Sequence, residues 1–162
     1  MEKYLEKNFE YWQRGYFADN VESFVFRPYG RILKQQFSID GSKQEKLLDF
    51  GCGQGAALSF FYSKGFDVYG VDISTVDIEQ CRKRMPEIHN HFVVIDPKPN
   101  DSDVFFEGNY DVIIAIQSLY YYNNKDLQTR LTSLYKQLKK GGIIYATMMG
   151  TQCWYYNHSV EY

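Results

Sequence analysis

Asp49-Phe50-Gly51-Cys52-Gly53-Gln54-Gly55 sets one acid and three glycines at alternate positions, directly after the apolar pair Leu47-Leu48. Glycine permits positive φ and leaves no Cβ between the backbone and a ligand. A helix opening from such a turn presents unpaired N–H groups and the positive end of its dipole. The pattern therefore predicts a buried strand, a tight turn and a helix start that together hold a nucleotide-type cofactor.

Two cofactor classes compete for the turn. Gly51-x-Gly53-x-x-Ala56 satisfies the dinucleotide fingerprint, and Asp72 follows Gly51 by 72 − 51 = 21 residues, where a ribose-binding acid is expected. Asp49 argues the other way. A carboxylate at the strand end repels a pyrophosphate and suits a cofactor with a cationic amino group and no phosphate. S-adenosyl-L-methionine fits that description.

The elements that must position these residues alternate along the chain. Residues 2–14 and 22–37 read as two helices, the second with Pro28 near its start or breaking it in two. Strand 46–50 leads to a helix over 55–63 stopped by Gly65, and strand 67–72 to a helix over 75–84 ended before Pro86. Strand 91–96, a loop through Pro97 and Pro99, strand 110–117, a helix over 125–139, the Gly141-Gly142 turn and strand 143–149 complete the series. The expected fold is α/β: a doubly wound, mostly parallel sheet with helices on both faces. It forms one domain over 1–162, with a helical cap at 1–40, a cofactor-binding core at 46–149 and a tail at 150–162. Ligands of such sheets sit beyond the carboxyl ends of the strands, which collects Gly51–Gly55, Asp72, Asp96 and Gln117 at one rim.

With these motifs in order, the chain resembles the class I S-adenosylmethionine-dependent methyltransferases. Val68-Tyr69-Gly70-Val71-Asp72-Ile73-Ser74 is similar to the family's second strand, Phe106-Glu107-Gly108-Asn109-Tyr110-Asp111-Val112-Ile113-Ile114-Ala115 to its fourth, and Leu138-Lys139-Lys140-Gly141-Gly142-Ile143-Ile144-Tyr145-Ala146 to its fifth. The resemblance implies cofactor contacts at Asp49, Gly51, Cys52, Gly53, Gly55, Asp72, Ile73, Asp96 and Gln117. Asp49 meets the amino group, Asp72 the ribose hydroxyls, and one of Asp96, Asp101 or Asp103 the adenine. The expected activity is methyl transfer to a small-molecule acceptor. A non-catalytic module completed by a partner chain and a nicotinamide-dependent oxidoreductase stand as alternatives.

Gln117-Ser118-Leu119-Tyr120-Tyr121-Tyr122 lacks the Asn/Asp-Pro-Pro-aromatic and Pro-Cys signatures of amino- and cytosine-carbon-directed methylases, and no catalytic base is assigned. Trp12, Tyr16 and Arg27 are candidates for a lid, and His158 for a base. The last strand lies about thirteen residues before Tyr162, so the strand pair that closes this edge in the family is expected to be missing. The open edge invites a second copy or a partner chain.

Composition narrows the partners. A formal charge of −2 and a pI near 5.9 do not supply the concentrated basic face that nucleic-acid binding needs. Three cysteines, Cys52, Cys81 and Cys153, lack metal-ligand spacing, and the three histidines form no metal constellation. With no leader after Met1 and no apolar run of membrane length, a cytoplasmic protein is expected. Aromatic residues make up 18% of the chain, enough to fill the core and leave tyrosines for a pocket that is apolar in body and polar at the rim.

Overall fold

The computed structural model describes residues 21–152. The helix expected at 2–14, Trp12, Tyr16, Cys153 and His158 lie outside the described residues.

Helix α1, Ser23–Pro28, runs into a π-helical stretch, Tyr29–Lys34, and a last α-turn, Gln35–Phe37. Pro28 has no N–H to give to the turn before it, and the wider π turn takes up the misfit. Pro28 therefore lies within a helical stretch that runs on to Phe37, at the change from α to π winding, and does not break it in two. Ser38 ends it at φ 57°.

Five strands follow: β1 Lys46–Phe50, β2 Asp67–Asp72, β3 Phe92–Val94, β4 Tyr110–Ala115 and β5 Leu138–Ala146. Their order is β3-β2-β1-β4-β5, and every pairing is parallel. Helices α2 Ala56–Ser63, α3 Thr75–Arg84 and α4 Asn124–Lys136 form the crossovers, with 3-10 turns at Pro86–His91 and Leu119–Tyr121.

Parallel strands covered on both faces must be apolar on both. One core packs Leu47, Val68, Val112 and Ile114 against Leu33 of the N-terminal helix, Leu58 and Phe61 of α2, and Ile78 and Cys81 of α3. The other packs Leu48, Phe50, Val71 and Ile113 against Leu134 of α4. The sheet is doubly wound, as its alternating pattern requires.

Several boundaries differ from the sequence reading: β3 is Phe92–Val94 against the expected 91–96, β4 ends at Ala115 against 117, and β5 ends at Ala146 against 149. Helix α4 ends at Lys136, and β5 already starts at Leu138. Between the pairs Tyr110↔Leu138 and Val112↔Ile143 the register shifts, and Gly141 takes φ 82° there. The Gly-Gly pair is thus a bulge within the strand, for which glycine's positive φ is suited. Among the described residues β5 is an edge strand, and Ile143 to Ala146 are only half-buried.

Candidate functional site

The sheet reverses direction of winding between β1 and β4, and the glycine loop leaves β1 at that point. The loop takes φ 78° at Gly51, 49° at Gly53 and 77° at Gly55, the last being the N-cap of α2. Gly51 is required twice over, because a Cβ there would collide with the Cβ of Ser118. At Gly53 the reverse holds: a Cβ would meet nothing within 4 Å, so the backbone faces open space.

Backbone and side-chain bonds tie the loop to the neighbouring strands. Val71 O accepts the N–H groups of Gly51 and Cys52 at 2.8 and 3.1 Å. Asp72 Oδ2 accepts the Gly53 N–H at 2.8 Å, and Oδ1 accepts the Ser74 N–H at 2.8 Å. Helix α3 has its own N-cap, since Ser74 Oγ accepts from the Asp77 N–H at 3.3 Å. Asp72 is therefore no helix cap. From the β4 side, Ser118 Oγ donates to Phe50 O at 2.7 Å.

Asp49 is the most unusual group in the site. It is 2% exposed, and its Oδ1 has no hydrogen-bond partner among the described residues. Burial, and the nearby Asp72 carboxylate after it, push its pKa up to about 8. Burial also raises Asp72, against the backbone N–H groups of Ser74, Gly53 and Ile73 that favour its charged form. Two acids beside an open glycine loop make a site built for cationic and hydroxyl donors.

The other residues named from sequence have the following surroundings. Ile73 is half-buried beside Asp72. The Cys52 thiol is buried, 3.6 Å from Gly53 O, and packs with Cys81, whose Sγ lies 3.1 Å from the same oxygen. The Cys81 hydrogen bond and burial push the Cys52 thiol well above its ordinary range, so it is no nucleophile. Gln117 is exposed at the rim with φ 53°, its N–H donated to Thr147 Oγ1 at 2.7 Å.

Of the three acids weighed for adenine, two are engaged elsewhere. Asp103 binds Arg130 at 2.8 Å and Asp101 pairs with Lys136 at 3.5 Å. Asp96 is exposed, and its Oδ1 accepts only the local Lys98 N–H at 2.7 Å. It also follows Ile95, whose N–H donates to Asp72 O at 2.9 Å, so it is the one that starts at the rim. His91 lies at the opposite end of the sheet, stacked on Tyr69 with centroids 4.2 Å apart.

Ser118 and Arg130 were not singled out from sequence. A serine after a strand carries no signal of its own, although the need for Gly at 51 implies a close neighbour. Arg130 reads as a solvated charge on a helix, yet it is wholly buried.

A parallel sheet with a glycine loop and two buried acids at its switch point defines the class of Rossmann-like nucleotide-cofactor proteins. A family model described as a methyltransferase domain matches residues 21–161, and the chain belongs to that family. It is 29% identical over 161 residues to the malonyl-[acyl-carrier protein] O-methyltransferase of Priestia megaterium, covering 96% of this chain and 54% of that protein. Against the protein of the same name from Salmonella typhimurium it is 27% identical over 111 residues, covering 68% and 41%. Among solved structures, the PH0226 protein of Pyrococcus horikoshii OT3 superposes with a TM-score of 0.65 at 25% identity, covering 86% of this chain and 65% of that one. The chain spans about half the length of the curated relatives it matches.

Proposed function

We propose that this chain binds S-adenosyl-L-methionine and forms the cofactor-binding part of a methyltransferase that acts on a small-molecule acceptor. The observation that carries this reading is Asp49: a buried carboxyl with an orphaned Oδ1, beside a glycine loop open at Gly53. A buried acid with no partner is costly until a donor arrives. An ammonium group satisfies it, and a pyrophosphate aggravates it.

When bound, the cofactor supplies an electrophilic methyl group on a sulfonium centre. The chain's own part is to bind, orient and exclude water. Asp49 holds the amino group, directly or through a water. Asp72 accepts from the ribose hydroxyls while its backbone bonds keep the carboxylate in place. Gly51 and Gly53 let the backbone approach, and Asp96 stands where the adenine amino group is expected. Gln117 flanks the methionine end. No described residue is assigned as a base.

Membership of the methyltransferase-domain family and the names of the curated relatives support the acceptor class: both O-methyltransferases named above act on a malonyl group carried by a protein. No helix among the described residues is long and apolar enough to cross a membrane. Free, buried Cys52 and Cys81 suit a reducing compartment, which supports a cytoplasmic setting. A second reading, a cofactor-binding module completed by another chain, draws on the half-exposed edge strand β5. Methyl transfer from labelled cofactor to a mixture of small carboxylic acids and their carrier-linked thioesters tests the first reading. Tight cofactor binding without transfer to any acceptor favours the second.

A further inference from the structure

Arg130 of α4 has 0% of its surface exposed. A charge in that position is expensive, and replacing a buried ion pair by apolar side chains is often neutral or stabilising. Stability alone is therefore a poor account of it. Its contacts suggest another: Nη1 binds Asp103 Oδ2 at 2.8 Å, and the guanidinium lies over Phe50 and Phe105, 5.0 and 5.3 Å from their centroids.

Asp103 and Phe105 belong to the loop between β3 and β4. That loop leaves the sheet at Ile95, bonded to Asp72 O, and returns with Phe105 packed 6.0 Å from Phe50, the residue before Gly51. It thus spans from the proposed ribose acid back to the residue that precedes the glycine loop. One face of α4 anchors it. Ser133 Oγ and Gln137 Nε2 each donate to Asp103 O at 3.1 Å, and Gln137 Oε1 accepts the Phe105 N–H at 3.1 Å. Arg130, Ser133 and Gln137 stand at i, i+3 and i+7, the spacing of one helix face.

We propose that Arg130 is a positioning residue that sets the purine wall of the cofactor site, acting through Asp103 and the Phe50–Phe105 pair. The inference rests on the cofactor reading above. Releasing the wall loosens the hold on the purine edge and leaves the grip on the amino and ribose groups intact.

The test is calorimetric titration of the wild type, R130M and Q137M with S-adenosylhomocysteine and with S-inosylhomocysteine, which carries an oxygen in place of the purine amino group. Q137M removes the Phe105 anchor without touching a charge, so it decides the matter where R130M does not fold. The wild type is expected to prefer the adenosyl ligand by about tenfold or more, and the variants to lose most of that preference. Overall destabilisation does not change a ratio of two affinities measured on folded protein. Hydrogen exchange at Val104, Phe105 and Phe106 is expected to rise in the variants, with protection in β1 unchanged. A preference kept intact in both folded variants overturns the positioning role and leaves the cofactor reading standing. A wild type that binds neither ligand overturns both.

Discussion

Asp72 Oδ2 lies 2.8 Å from the Gly53 amide nitrogen, so the acid at the end of β2 holds the middle of the glycine loop. The same carboxylate takes the Ser74 N–H, and no helix cap depends on it. Asp72 is a clamp on the loop, and the proposed cofactor reading makes it the acceptor for the ribose hydroxyls as well.

Asp72→Ala is therefore expected to lower two quantities together. Losing a charged acceptor for two ribose hydroxyls weakens S-adenosylhomocysteine binding by about 2–4 kcal/mol. Losing the acceptor for the Gly53 and Ser74 N–H groups, among others, destabilises the empty fold by about 1–3 kcal/mol, offset in part by the burial cost of the carboxylate. Calorimetry gives the first and urea melts the second. Unchanged affinity with reduced stability shows that Asp72 is a clamp alone.

Asp49 gives the chain a pH signature. Its pKa in the fold, about 8, stands far above the ordinary carboxylate range. The fold favours the protonated form, so this group's contribution is fully present below about pH 4 and is lost as pH rises through about 8. Asp49→Asn removes that dependence, and the variant's urea midpoint is expected to gain on the wild type's steadily from pH 5 to pH 8. A parallel pair of pH profiles contradicts the burial argument.

Ligand binding should show the opposite face of the same group. A cationic amino group favours ionised Asp49, so binding releases a proton and tightens between pH 5 and pH 7. Calorimetric enthalpies that differ between buffers of different ionisation heat measure that release. Asp49→Asn abolishes it.

Gly51→Ala and Gly53→Ala separate packing from ligand approach. At Gly51 the new Cβ meets Ser118, and the variant is expected to lose about 2–3 kcal/mol of stability through overpacking and the strained φ. At Gly53 the Cβ meets open space, so the cost is the φ strain alone, about 1–2 kcal/mol. Cofactor affinity in Gly53→Ala nevertheless falls by about tenfold or more, because the methyl group occupies the ligand's approach. Equal affinity for wild type and Gly53→Ala places the ligand elsewhere.

The features legible from sequence were those whose signal is local. Apolar runs such as Leu47-Leu48 and Val112-Ile113-Ile114, and the punctuation at Gly51, Gly65 and Pro86, located four strands and the helices between them to within a few residues. Three features were not legible because they depend on distant neighbours. Pro28 reads as a residue near the helix start or as a break, whereas the helix runs on through a π turn with Val25 and Leu33 packed into the same core. Gly141-Gly142 reads as a turn before β5, but pairing with β4 makes it a bulge. Arg130 sits on a helix whose buried face carries Asp126, Arg130, Ser133 and Gln137, a face no apolar periodicity reveals. The acids proposed for the site are readable as types and positions, whereas the orphaned oxygen of Asp49 requires the fold.

The central claim is that the loop and its two acids hold S-adenosyl-L-methionine. Thermal unfolding of this chain with S-adenosylhomocysteine and, separately, with NADH at matched concentrations tests it most directly. At about a hundred times its Kd a ligand adds about 2.7 kcal/mol to stability. A concentration-dependent rise in Tm with S-adenosylhomocysteine is expected, diminished by Gly53→Ala and by Asp72→Ala, with no shift from NADH. A shift with NADH, or none with S-adenosylhomocysteine, contradicts it.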